Sequence, residues 1–242
     1  MPYFVDGCQK RSNEVSEFIA LDKDVLNKSY LNFLRQGMRG WFEAMTDKPI
    51  VFSKSRSWSE WLPHTIALDP NSKYLVILRD LRDIICSFES LAWKYPCVVY
   101  SDPEHPFYQL PIEKRMEFYC TDISTLLGRA LYTLPHVIEV AQKNPKSFFM
   151  CKHEDFNERP RESFQKIYQW LGEEYFEHNF DNIPKSDYYE HDTVYNSLVS
   201  HKTRTKLEKL EPRWPKMLTE EQSEAVIYNN RWYYETFYPE VL

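Results

Sequence analysis

The stretch that most constrains this 242-residue chain runs from Tyr74 to Tyr95. Tyr74-Leu75-Val76-Ile77-Leu78 is a continuous apolar run rather than an alternating one, the pattern of a strand buried on both faces in a parallel sheet. It passes at once into Arg79-Asp80-Leu81-Arg82-Asp83. Apolar residues then recur at Ile84, Phe88, Leu91 and Tyr95, a three-to-four spacing that predicts a helix. A strand that exits through a charged turn into a helix opens a βαβ unit, and parallel strands require such crossovers.

The rest of the chain repeats the alternation. Tyr3-Phe4-Val5, Pro49 to Ser53 and Ser147 to Cys151 read as further short strands. Helices are expected over about 13–45; over 58–68, with Ser57 and Glu60 as a capping box; over 112–143, ending or kinking near Pro135; over 160–171, between Pro160 and Gly172; and over 219–235. No repeat or low-complexity linker interrupts this order. The expectation is a single α/β domain over residues 1–242, a central parallel β-sheet flanked by helices.

Composition narrows the function classes. A hydrophobic content of 43%, with 16% aromatics, supports a packed core and excludes a disordered chain. A net charge of −6 argues against a nucleic-acid or membrane-surface partner, although a small anionic cofactor needs only a few local cations. Cys8, Cys86, Cys97, Cys120 and Cys151 are scattered, without a C-x-x-C pair, which argues against a zinc site or a disulfide framework. No apolar run approaches the ~20 residues that span a bilayer. The opening MPYFVDGCQKRS lacks the apolar core of a signal peptide. A soluble, cytoplasmic protein without a bound metal is expected.

In an open α/β sheet, ligands bind beyond the carboxyl ends of the strands. Three strand exits are charged: Lys54 and Arg56 after 50–53; Arg79, Asp80, Arg82 and Asp83 after 74–78; and Lys152, His153, Glu154 and Asp155 after 147–151. Cations converging on one sheet edge of an acidic protein form a local anion site.

The string Arg79-Asp80-Leu81-Arg82-Asp83-Ile84-Ile85-Cys86-Ser87-Phe88 resembles the R-D-x-R-D-x-x-x-S-[YF] signature of sulfotransferases. In that family the first Arg and the Ser grip the 3′-phosphate of 3′-phosphoadenosine 5′-phosphosulfate (PAPS). The chemistry suits the residues, since an Arg at a strand end offers a fixed bidentate fork and a helical Ser adds a hydroxyl donor. Cys151 to Phe156 resembles the family's Y-E-D-L segment, with His153 in the place of the Tyr that lies against the adenine, and Trp170-Leu171-Gly172 matches its F-L-G. Ile50 to Trp58, IVFSKSRSW, is similar to the strand that brings basic residues to the transfer centre. Lys54 matches the family's Lys, and Arg56 stands where many members have His. This Lys-x-Arg-x-Trp form, and the late Ser200-His201-Lys202-Thr203-Arg204, are closest to the bacterial and phage type.

The resemblance implies sulfuryl transfer from PAPS to a hydroxyl or amine of a small-molecule, glycan or peptide acceptor, without a metal. It assigns Lys54, Arg56 and His201 to catalysis, with His64 a second candidate base. Arg79, Ser87, His153, Lys202 and Arg204 are assigned to the cofactor. One departure stands out. Relatives carry a Gly-containing P-R-S-G-T-T loop that cradles the 5′-phosphosulfate. Here Gly7 to Asn13 offers Lys10, Arg11 and Ser12 but lacks the second Gly and the Thr pair. The loop is degenerate, a segment has been lost, or it lies outside this chain. The alternative to an enzyme is therefore a relative that binds the nucleotide, or a protein, without turnover. No G-x-x-x-x-G-K-[ST] exists, which argues against P-loop kinase chemistry.

Overall fold

The computed structural model describes residues 10, 20, 22–94, 104–184 and 205–242, with backbone alone at 56, 57, 93 and 94. The chain divides into two compact units, Met1–Ser72 and Lys73–Leu242.

In the first unit, α1 (Lys23–Met45) starts where Asp22 accepts the N–H groups of Asp24 and Val25, at 2.9 and 3.2 Å. These bonds satisfy donors that have no partner within the helix. A turn of 3₁₀ helix, Arg56–Ser59, precedes α2 (Leu62–Leu68). The expected Ser57–Glu60 box does not set this start. Pro63 sits in the first turn, where its missing N–H costs nothing. Leu34 of α1 and Leu68 of α2 share a small core with Tyr30 and Met38. The Arg35 guanidinium donates to the carbonyls of Leu68 and Ala67, at 2.6 and 3.1 Å, and so caps the C-terminus of α2 with a cation. Residues 50–53, expected as a strand, are exposed and outside any ladder among the described residues. The expected strand 3–5 lies outside the described residues.

The second unit holds the parallel pair. β1 (Tyr74–Leu78) lies beside β2 (Phe148–Lys152) in the register Tyr74↔Phe148 to Leu78↔Lys152. Stacking of Tyr74 on Phe148, 4.8 Å between centroids, fixes the start of this register. Between the strands run α3 (Leu81–Lys94), α4 (Ile112–Thr121) and α5 (Leu126–Lys143). The break falls between α4 and α5, where Thr125 caps Gly128, and Pro135 lies inside a continuous α5. The buried stripe Leu127, Leu131, Leu134 and Val137 outweighs the one hydrogen bond that the proline removes.

After β2 come α6 (His153–Glu158) and α7 (Pro160–Leu171), the latter stopping at Gly172 with φ 82° as expected. The C-terminal part contains α8 (Trp214–Met217), α9 (Glu220–Asn229), opened by a Thr219–Gln222 capping box, and α10 (Arg231–Phe237). The single helix expected over 219–235 is thus two, parted at Asn230. A polar network is buried in this unit: Glu89 takes Arg115 at 2.6–3.2 Å and Tyr119 at 3.0 Å. Each of its partners is satisfied, which is the condition for burying such a pair.

Candidate anion-binding site

Beyond Leu78 the chain leaves the ladder, and side chains take over the backbone hydrogen bonds. Asp80 caps α3 by accepting the N–H of Arg82 at 2.9 Å. The same carboxylate receives the Arg82 guanidinium, at 2.5–3.2 Å, and the Tyr234 hydroxyl at 3.0 Å. The Arg82 guanidinium carbon lies 3.9 Å from the centroid of Trp214, a cation–π contact, and its Nη1 reaches Ser223 Oγ at 3.3 Å. Burial pulls the Arg82 pKa down, but the hydrogen bonds and charge of Asp80 more than offset this. Asp80 and Arg82 are therefore consumed in fastening the strand exit to the C-terminal helices.

Arg79 is arranged differently. Its side chain keeps 25% of its exposure and pairs with Asp83 at 3.2 Å, while its Nε is buried with no hydrogen-bond partner among the described residues. It lines a cleft of about 140 Å³ together with Asp83, His153, Glu154 and Asn157. His153 opens α6, and its Nδ1 lies 3.1 Å from Asn157 Nδ2. Lys209 and Glu211 close the cleft from the segment before α8, and Glu158 from α6.

Among the described residues, two cations, Arg79 and Lys209, thus face four carboxylates, Asp83, Glu154, Glu158 and Glu211. Two of these carboxylates are already occupied by donors. Asp83 accepts the N–H groups of Arg213 and Trp214 at 2.8 and 3.3 Å. Glu154 accepts the Asp80 N–H and the Tyr238 hydroxyl, each at 3.0 Å. Among the described residues of the cleft, Arg79 Nε is a donor left unmatched. A buried N–H without an acceptor is costly and suits an anionic oxygen in the cleft.

The sulfotransferase domain family matches residues 9–227, a span that contains this whole strand exit. The chain belongs to the sulfotransferase family. No curated protein and no solved structure matches it. Its α/β fold, with the parallel β1–β2 pair and intervening helices, is that of a sulfotransferase domain.

Of the residues singled out in this sulfotransferase sequence, the structure brings Arg79 and His153 to one cleft. Ser87, half-buried on α3, is not among the residues that line it. Lys54 is exposed, Arg56 opens the 3₁₀ turn, and Lys10 is exposed; all three belong to the unit that ends at Ser72. His64 is exposed beside Trp61, 5.2 Å between centroids. Arg11, Ser12, His201, Lys202 and Arg204 lie outside the described residues. Among the described residues no cluster of metal-ligating side chains occurs, and no helix is long and apolar enough to cross a membrane.

Sequence reasoning missed the partners of the strand exit. Tyr233 accepts the Arg79 N–H at 3.3 Å and donates to the Arg79 carbonyl at 2.9 Å. Tyr234 and Tyr238 reach Asp80 and Glu154. The available signal was the density of hydroxyl-bearing aromatics in Trp232-Tyr233-Tyr234-Glu235-Thr236-Phe237-Tyr238. Such rings bury only when their hydroxyls find partners.

Proposed function

We propose that this sulfotransferase uses PAPS as donor and that Arg79 grips its 3′-phosphate, with sulfuryl transfer to a hydroxyl or amine of an acceptor. The observation that carries the reading is the buried Nε of Arg79 in the cleft beyond β1, without a partner among the described residues. When bound, the donor supplies a sulfuryl group attached to a phosphate leaving group.

The chain's own residues supply the rest. Arg79 provides a fork for phosphate oxygens, with Ser87 as the second donor that the family signature assigns. His153 offers an imidazole face for the adenine. Lys54 and Arg56 offset the negative charge that develops on the leaving and transferring oxygens, the largest kind of catalytic contribution in such transfers. Lys10, Arg11, Ser12, Lys202 and Arg204 add cations and donors for the phosphates. His201 is the candidate base. Arg56 stays protonated and takes no part in proton removal. The reading includes one functional domain over residues 1–242, kinship with the bacterial and phage type, a cytoplasmic setting and no metal.

One observation favours a second reading, a relative that binds nucleotide or a protein without turnover: the missing second Gly and Thr pair at 7–13. Calorimetry with adenosine 3′,5′-bisphosphate, followed by turnover of labelled PAPS over a panel of hydroxyl and amine acceptors, separates the two. Binding with turnover supports the enzyme, and binding without it supports the second reading. Arg79→Ala is expected to abolish bisphosphate binding. Unchanged affinity in that variant removes the site assignment under either reading.

A further inference from the structure

Both backbone groups of Arg79 are held by one residue, Tyr233, which lies beyond the stretch 9–227 that the family matches. Residue 79 follows the last ladder pair, Leu78↔Lys152, so neither of its peptide groups has a strand partner. A buried backbone N–H or C=O must be paired somewhere. The Tyr233 hydroxyl pairs both, accepting the N–H at 3.3 Å and donating to the carbonyl at 2.9 Å.

The next peptide is held in turn. The Asp80 N–H donates to Glu154, whose second oxygen takes the Tyr238 hydroxyl. Tyr234 fixes the Asp80 carboxylate from the same helix. Just after α10, Glu240 pairs with Lys152 at 2.7 Å, and Lys152 lies 4.4 Å from the Tyr238 ring centroid. Residues 233–240 therefore stitch the exit of β1 to the exit of β2. The rings are locked together: Tyr233 is 2% exposed, stacked on Tyr238 at 5.8 Å and packed on Phe237 at 5.2 Å.

We infer that Tyr233 is a positioning residue for the phosphate-gripping guanidinium of Arg79, its hydroxyl fixing the backbone from which that side chain projects, with Tyr234 and Tyr238 as supports. The inference rests on the reading of Arg79 as the phosphate fork. A guanidinium makes a bidentate grip only when its plane is held, so freedom at the residue 79 backbone lowers anion affinity before it alters the fold. Tyr233→Phe removes one oxygen and keeps every ring contact.

The test is calorimetric titration of the full chain with adenosine 3′,5′-bisphosphate, using wild type, Tyr233→Phe, Arg79→Ala, Arg79→Lys and the double variant Arg79→Lys/Tyr233→Phe. Tyr228→Phe serves as a control on an exposed ring. Tyr233→Phe is expected to bind about tenfold more weakly, the scale of one lost hydrogen-bond anchor. It is also expected to speed amide exchange at Arg79 while the slowest core amides are unchanged, and Tyr228→Phe is expected to bind as wild type. Because Tyr233 acts through the planar fork, its effect is expected to shrink in the Arg79→Lys background. A merely structural role would leave the two effects additive, and full additivity overturns the inference. Wild-type affinity in Tyr233→Phe, with binding lost in Arg79→Ala, overturns the inference alone. Wild-type affinity in Arg79→Ala removes the site reading and the inference with it. Tyr238→Phe is the second variant should Tyr233→Phe fold poorly; it releases Glu154, and a loss of about threefold is expected. Unchanged affinity there counts against the clamp.

Discussion

The backbone N–H of Asp80 donates to Oε1 of Glu154 at 3.0 Å, which ties the chain leaving β1 to the first turn of α6 beyond β2. Glu154 thereby does what a continued ladder would do, at a level where the two strands have already diverged into helices. Its other oxygen accepts from Tyr238, so three segments far apart in sequence meet on one carboxylate.

Removing that carboxylate orphans two donors at once. Glu154→Ala is expected to destabilise the protein by about 1–3 kcal/mol, and Glu154→Gln, which keeps an acceptor oxygen, by less than half as much. Urea melts followed by fluorescence check both. Equal losses in the two variants would contradict the hydrogen-bond account.

Arg82 and Asp80 are only 6% and 8% exposed, and the guanidinium is covered by Trp214. Arg82→Met strands a buried carboxylate and is expected to cost about 3–5 kcal/mol. Trp214→Ala removes a cation–π contact of about 0.5–2 kcal/mol together with its apolar cover. In the Arg82→Met background the loss from Trp214→Ala is expected to fall by that contribution. A double-mutant cycle on denaturation midpoints measures it.

Local rules made much of this fold legible. The apolar run 74–78, the helical spacing after it, and the Pro160–Gly172 bracket each depend on neighbours within a few residues, and each stands where expected. Places where two local rules compete were less legible. Pro135 suggested a break, but a buried stripe carries α5 through it, and the break falls at Thr125 instead. Residues 50–53 have the composition of a strand, yet pairing is a long-range property, and they are exposed and outside any ladder among the described residues. In the site, Arg79 was readable because its motif is contiguous. Its surroundings were not: Tyr233 and Glu154 meet it across 154 and 74–75 positions, and nothing in either local pattern announces the meeting.

Two glycines separate backbone freedom from space. Gly172 ends α7 at φ 82°, with nothing near the place of a Cβ, so Gly172→Ala carries only the conformational penalty, about 1–2 kcal/mol. At Gly128 a Cβ would run into the carbonyl of Asp122, which is backbone and cannot swing aside. Gly128→Ala is expected to cost more than Gly172→Ala. Thermal melts of the two single variants order them, and the reverse order would refute the packing argument.

Alkaline pH is expected to unfold the protein earlier than its carboxylates and lysines alone would suggest. Burial, then the nearby Asp83 charge, pushes the Cys86 thiol from 9.0 up to about 11. Burial pushes Cys120 up to about 12, and burial together with Asp155 pushes Cys151 to about 11. The hydroxyls of Tyr233, Tyr234 and Tyr238 are raised from 10.0 in the same direction, chiefly by burial and then by Glu154 at Tyr233, Asp80 at Tyr234, and Tyr233 and Glu154 at Tyr238, while the Arg79 N–H bond opposes the rise at Tyr233. A folded pKa above the unfolded one means that the folded state holds its proton longer. The stability these groups contribute is complete below pH 9.0, the unfolded thiol value, and declines as pH rises toward 11 and 12 because the unfolded chain ionises first. Each such group adds a slope of about 1.4 kcal/mol per pH unit within its window. Urea midpoints are therefore expected to be level from pH 7 to 8.5 and to fall steeply above about pH 9.5. Over the level range, alkylation of the described thiols is expected to track global unfolding, since the thiolate is the reactive form. Midpoints that stay level to pH 10.5, or rapid native-state labelling of Cys86 at pH 8, would contradict the buried, protonated state of these groups.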